Sequence, residues 1–416
     1  MKTLAFIVEY NPFHYGHKYH LEESLSLTRA SHSIALMSGS FLQRGEPALV
    51  DKWTRAKMAI DNGVDLVLEL PFVYSCQSAE FFAQGAVKTL NSLNLVDCLS
   101  FGSELGSLEP LEIISDILIK EPMIYKSSLK DYLSSGLSFA NSRSRALLAV
   151  LKKNSLLKEY PYEEILKGSN NILAIEYLKS IKKLQSKIRP VTIKRLGADY
   201  KDKNIKNNLA SATGIRQILF EEGIGAIDDL VPSESLTLIK EFYSKYHIFN
   251  SLDKYESIIR YLLLSKNSDF VRSILDVETG LENRIYKKAM IEEDIEGIVN
   301  SIASKRYPST RIQRILIHLL TGLDKSTVKR FYGYEPQYVR LLAANSKGRE
   351  ILSHIKETSD INIISKYSNY RRLNNPIINE FLYFEEKATD IYFWGLNKIP
   401  LEVRKDYYTS PYIARK

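Results

Sequence analysis

The stretch Asn11-Pro12-Phe13-His14-Tyr15-Gly16-His17-Lys18-Tyr19-His20 holds three of the chain's seven histidines. On a helix, His14 and His17 stand one turn apart, so both imidazoles can donate hydrogen bonds to the same phosphate oxygens. Gly16 carries no side chain to block the close approach of a phosphate. Donors so placed act most strongly where charge builds up, on a reacting α-phosphate and a leaving pyrophosphate. His20 lies a further turn along and is expected at the surface. Zinc would need more ligands, and the chain offers only Cys76 and Cys98 and no further histidine cluster. A second stretch, Ser211-Ala212-Thr213-Gly214-Ile215-Arg216, precedes a helical pattern. Ser211 and Thr213 can cap that helix, or offer hydroxyls to a triphosphate while Arg216 adds a bidentate donor. No Walker A sequence is present.

Such a loop needs a scaffold, and the first hundred residues supply one. Short apolar runs at 4–8, 34–37, 64–70 and 97–101 alternate with helical patterns at 17–30, 51–62 and 78–93. The alternation predicts a Rossmann-like α/β domain with a parallel sheet, whose ligands bind beyond the carboxyl ends of its strands. The histidine stretch then falls where strand one gives way to helix one, where N–H groups and the helix dipole face bound anions. Residues 108–185 read as a helical insertion before the sheet's last strand at 191–196. Beyond residue 230 helical patterns dominate, as at 257–264, 291–303 and 311–320, and no strand is expected. The chain is therefore divided into a nucleotide-binding domain, 1–225, and a mainly helical domain, 226–416.

Composition narrows the class. The chain's 416 residues are 44% hydrophobic and 25% charged, enough apolar content for packed cores and too much for a disordered chain. No apolar run approaches the ~20 residues of a membrane span, and a soluble cytoplasmic protein is expected. With 57 basic and 49 acidic residues the net charge is +8. Residues 301–350 carry ten basic side chains and three acidic ones, a local +7. That run is either a solvated helix face or a surface for a polyanion such as RNA.

The two phosphate stretches together resemble the signature pair of the His-x-Gly-His nucleotidyltransferase superfamily. A closer likeness is carried by Val8-Glu9-Tyr10-Asn11-Pro12-Phe13-His14-Tyr15-Gly16-His17 and by Met37-Ser38-Gly39-Ser40-Phe41-Leu42-Gln43-Arg44-Gly45-Glu46-Pro47-Ala48. Phe101-Gly102-Ser103-Glu104, Ser169-Asn170-Asn171-Ile172-Leu173, Lys194-Arg195-Leu196-Gly197-Ala198 and Lys305-Arg306-Tyr307-Pro308 extend it over most of the chain. These strings are similar to the bacterial tRNA(Met) cytidine acetate ligases. The resemblance implies ATP as substrate, with Mg²⁺ expected alongside it, and acetate and elongator tRNA(Met) as the other reactants. It implies no membrane and no protein partner.

By that resemblance the ATP site comprises Ile7, Val8, Glu9, Tyr10, Asn11, Pro12, Phe13, His14, Tyr15, Gly16, His17, Lys18, Tyr19 and His20. It further takes in Gly102, Asn170 or its neighbour Asn171, Arg195 and Leu196, with Ser211, Thr213 and Arg216 on the triphosphate. His14 and His17 are the expected catalytic pair. Lys305, Arg306, Arg311 and Arg314 are the expected tRNA contacts. Gln43, Arg44 and Glu46 stand open between contacts to substrate and support of their own loop. Two other functions use the same motifs: a nucleotidyltransferase acting on a coenzyme precursor, and a non-enzymatic RNA-binding protein that keeps nucleotide as a structural ligand.

Overall fold

The computed structural model describes residues 1–195, 210–396 and 402–414. Among the described residues, eight strands make one sheet in the order β5-β4-β1-β2-β3-β6-β7, with β8 also pairing β6. β1 is Thr3–Val8, β2 His32–Ser38, β3 Leu66–Leu70, β4 Cys98–Ser103 and β5 Arg189–Lys194. These five run parallel to one another, as the strand–helix alternation requires. All residues of β2 and β3 are buried, which is why both read as mostly apolar runs, broken in β3 by Glu69, rather than alternating ones. The helix Lys52–Asp61 between them starts at Asp51, whose Oδ1 accepts the Trp53 and Thr54 N–H groups, both at 2.9 Å.

The crossover from β4 to β5 carries the expected helical insertion, from Glu109–Lys120 through Met123–Ser134 and Phe139–Lys153 to Ser169–Lys183. The second half departs from expectation. Helices dominate it, but β6 (Tyr338–Ala344), β7 (Asn362–Ile364) and β8 (Tyr412–Ile413) extend the sheet past β3. The expectation of no strand beyond residue 230 is thus corrected, and β5 is an edge rather than the last strand. β6 runs antiparallel to β3 and sets Arg340 opposite Glu69. A buried ion cluster joins the halves there: Lys52 Nζ lies 2.7 Å from Glu69 and 2.9 Å from Asp406, and Arg340 lies 3.1 Å from Glu69. One contiguous hydrophobic core runs from Leu4 to Leu396, across the expected boundary at 225.

Candidate active site

β1 ends at Val8, and a tight loop feeds the helix Tyr15–Thr28. His14 is that helix's N-cap: its Nδ1 accepts the Gly16 N–H at 3.0 Å. His17 reaches back, its Nδ1 accepting the His14 N–H at 3.3 Å. The pair forms a capping box made of two imidazoles. The consequence is chemical. With Nδ1 bound as an acceptor in both rings, the proton of each neutral imidazole resides on Nε2. No acceptor is bonded to either Nε2 among the described residues, and both rings line an open cleft. Burial, with the nearby Arg195 guanidinium, holds the His14 pKa down to about 3. Burial, then His14 and Arg195, pushes His17 well below its ordinary value. Both rings are therefore neutral donors at physiological pH.

Gly16 is required for a reason beyond ligand access. A Cβ there would lie 2.8 Å from His14 Cε1, so any side chain displaces the capping ring. His20 is not the surface residue expected. It is partly buried in the same cleft, with Nε2 2.9 Å from Ser100 Oγ, and burial holds its pKa at about 4.

The cleft is completed by Tyr19, Gly102, Ile193, Lys194, Arg195 and Ser211. Gly102, near the end of β4, makes room for Arg195: a Cβ would stand 2.9 Å from Arg195 Cγ. Among the described residues no carboxylate lies within ion-pair distance of Arg195, whose pKa is lowered by burial. Leu196 lies outside the described residues. Ser211 caps the helix Ala212–Glu222, its Oγ accepting the Gly214 N–H at 3.1 Å. Two helix N-termini thus meet at one cleft with a guanidinium, an arrangement with the chemistry to hold an anion.

Other expected site residues stand behind the surface. Tyr10, Asn11 and Phe13 are buried, and the Tyr10 and Phe13 rings pack on His17 at 4.9 and 5.6 Å. Asn11 Oδ1 accepts the Leu49 N–H at 2.7 Å, and Glu9 accepts the Gln43 N–H at 2.8 Å. Pro12 is buried, while Ile7, Val8, Tyr15 and Lys18 are partly buried at the loop's two ends. Arg216 ties the two motifs together, donating to the Asn11 carbonyl at 3.0 Å and pairing with Glu46 at 2.9 Å. Thr213 is exposed at the start of its helix. Gln43 also donates to the Gln77 carbonyl at 2.9 Å, so Gln43 and Glu46 support their loop while Arg44 is exposed.

Neither Asn170 nor Asn171 lines the cleft, and the two differ in burial through Glu104, a residue not among the expected site residues. Glu104 takes the backbone N–H groups of Asn170 (3.0 Å) and Asn171 (2.7 Å), capping the helix Ser169–Lys183 from outside. Asn171 is buried, its amide divided between the Glu104 N–H and the Ile165 carbonyl. Asn170 is the partly exposed one, its Nδ2 held by Glu104 at 2.9 Å.

The basic run 301–350 changes character once its partners are seen. Arg314 is 7% exposed, with Nε 3.3 Å from Asp276. Arg311 pairs with Glu278 at 2.9 Å and donates to the Asp276 carbonyl at 2.7 Å. Arg306 also pairs with Glu278, Arg330 with Glu380, and Arg340 sits in the buried cluster. Of the four expected tRNA contacts, Lys305 and Arg306 are exposed, and Arg311 and Arg314 face inward.

Comparison with known proteins identifies the family. Residues 1–406 match the family model described as HIGH Nucleotidyl Transferase. A tRNA(Met) cytidine acetate ligase of Thermoanaerobacter sp. (strain X514) is 47% identical over 393 residues, 94% of this chain and 95% of that protein. One from Clostridium perfringens (strain SM101 / Type A) is 44% identical over 417 residues, with both chains fully covered. The crystal structure of Thermotoga maritima TmcAL bound with alpha-thio ATP superposes over 100% of both chains, with a TM-score of 0.91 at 34% identity. On the match across nearly its whole length and on these relatives, the chain belongs to the HIGH nucleotidyltransferase family and, within it, to the tRNA(Met) cytidine acetate ligases.

Proposed function

We propose that the chain activates acetate with ATP and transfers the acetyl group to the wobble cytidine of elongator tRNA(Met), forming N4-acetylcytidine. In the first half-reaction an acetate oxygen bonds to the α-phosphorus as the bond to pyrophosphate breaks. In the second, the cytidine amine attacks the acyl carbon, loses a proton, and expels AMP. The observation that supports this reading is the reciprocal histidine cap, which leaves Nε2–H of both rings without a bonded acceptor among the described residues while both residues line one cleft. Donors already oriented by the backbone need no reorganisation when charge develops on the phosphates. Arg195 and Ser211 line the same cleft and would hold the polyphosphate, with Thr213 at the same helix start. Arg216 acts through the loop it clamps.

The relatives' names support the acetate and tRNA substrates, and the bound nucleotide of the T. maritima structure supports ATP. Among the described residues no group of three His, Cys, Asp or Glu side chains is placed to hold a metal ion. Mg²⁺ would therefore arrive on the ATP phosphates, and no step is assigned to it. No helix among the described residues is long and apolar enough to cross a membrane, and the proposed place of work is the cytoplasm, where tRNA and ATP are. Lys305 and Arg306 are the proposed tRNA contacts of the C-terminal half, set on a turn that Arg311 and Arg314 brace through Asp276 and Glu278.

Incubation with ATP, labelled acetate and bulk tRNA, followed by nucleoside analysis, tests the proposal. Label in N4-acetylcytidine, dependent on ATP, is the expected result. A stable dinucleotide product, or tRNA binding without pyrophosphate release, would overturn it.

A further inference from the structure

The insertion between β4 and β5 contains a groove of ≈ 720 Å³ between the helices Phe139–Lys153 and Ser169–Lys183. That volume lies in the range of ligand pockets. Its walls divide by chemistry. Leu148 and Ile172 give apolar surface, Asn141 and Ser144 give hydrogen-bonding groups, and Arg145 and Lys167 stand at the exposed edge. Arg143 also lines the groove but is neutralised by Glu176, and Glu163 is the one acidic side chain in the lining. Arg145 and Lys167 have no carboxylate partner within ion-pair distance among the described residues. Arg145 instead lies over the Tyr132 ring, 5.7 Å from its centroid. This contrasts with the basic run at 301–350, where Asp276 and Glu278 occupy the arginines.

Position supplies the second argument. Lys167 precedes and Ile172 lies in the first turn of the helix Ser169–Lys183, whose Asn170 and Asn171 N–H groups are held by Glu104. Glu104 in turn follows Gly102 and Ser103, the end of the strand that lines the phosphate cleft. Groove and cleft are therefore linked through the bonds of Glu104 to the start of that helix.

We infer that this groove binds single-stranded RNA next to the reacting cytidine, with phosphates on Arg145 and Lys167 and a base on the apolar wall. Cations at the edge of an apolar wall match a single strand, whose bases are unstacked and whose backbone is anionic. The inference rests on the function proposed above and places part of its tRNA substrate.

The test uses the full chain carrying Arg145→Glu and Lys167→Glu together, with Arg145→Gln and Lys167→Gln as a milder pair should the first fail to fold. Neither residue touches the cleft, so acetate-dependent ATP–pyrophosphate exchange should stay within about twofold. kcat/KM for tRNA should fall at least about tenfold. Two lost single-strand phosphate contacts should flatten the slope of log K against log salt by roughly 1.4. A 7-nucleotide RNA centred on the cytidine should lose affinity in parallel with tRNA. Unchanged tRNA affinity and slope in a folded variant would overturn the groove assignment while leaving the ligase reading intact. A wild-type chain that binds neither RNA would overturn both. Loss of pyrophosphate exchange alongside tRNA binding would mean the groove residues shape the ATP cleft, and would also refute the assignment.

Discussion

Replacing His14 with asparagine separates two roles that the wild-type ring combines. As N-cap, His14 satisfies the Gly16 N–H through Nδ1; as a cleft residue it presents Nε2–H. Asparagine is among the best N-cap residues, and its Oδ1 can take over the first role, but it has nothing to offer at the Nε2 position. Alanine loses both. Losing a cap costs about 1 kcal/mol of stability. Losing one preorganised donor to a developing oxyanion costs about 2.7–4 kcal/mol of transition-state stabilisation, or 10²–10³ in rate. His14→Asn should therefore lower adenylation by about 10²–10³. Its stability should exceed that of His14→Ala by about 1 kcal/mol, both variants sharing the loss of ring packing on His17, 3.8 Å away between centroids. Acetate-dependent ATP–pyrophosphate exchange measures the first effect, and denaturant titration the second. Near-normal exchange in His14→Asn with strong loss in His14→Ala would mean that the histidine matters only as a cap, and the donor argument would fail.

Gly16→Val should displace the His14 ring and lower exchange about a hundredfold or more in a folded protein, as the 2.8 Å approach to His14 Cε1 requires; near-normal exchange would show the ring can move at no cost. Arg340→Met leaves Glu69 and Asp406 with Lys52 as their remaining close cation in that cluster, and stability should fall by about 3–5 kcal/mol in denaturant titration. A loss below about 1 kcal/mol would mean the cluster is solvated. The histidines also set a pH dependence. His14 takes its proton near pH 6.5 when unfolded and only at about 3 when folded, so its contribution to stability is complete above 6.5 and lost as pH falls towards 3. At pH 5 the loss from His14 is about 2 kcal/mol. Nitrogen-15 spectra should show His14 and His17 as neutral Nε2–H tautomers from pH 8 to 5, and a titration near 6.5 would contradict the assigned state.

What could be read before the fold was known follows from how each element is held. β1 to β4 are largely buried, so their sequences are short and mostly apolar, with Glu69 of β3 the one acidic residue among them, and their alternation with helical patterns marks them as strands. β6 is as deeply buried, but Arg340 interrupts it, and the carboxylates that make Arg340 tolerable come from Glu69 and Asp406, far away in sequence. β7 and β8 are three and two residues long, too short to leave a periodicity. The ion pairs within the basic run were hidden for the same reason as those of Arg340. A window of fifty residues counts its own charges, while Asp276, Glu278 and Glu380 lie outside it. At the site, the positions of His14 and His17 were legible from their spacing, but their tautomers were not, because these depend on which backbone N–H each Nδ1 meets. Asn170 and Asn171 are alike in type and adjacent; only the reach of Glu104 from β4 tells them apart.

One cleft is proposed to carry out two successive steps, with acetyl-adenylate between them. That proposal is tested most directly by mixing the chain with ATP and carbon-14 acetate, removing free acetate and ATP on a short desalting column, and then adding tRNA in a single turnover. Labelled acetyl-adenylate should be retained on the protein, with stoichiometric pyrophosphate released before tRNA is added and label then passing to cytidine as AMP leaves. Pyrophosphate release that requires tRNA from the start, or retained label that never reaches the cytidine amine, would contradict the proposal.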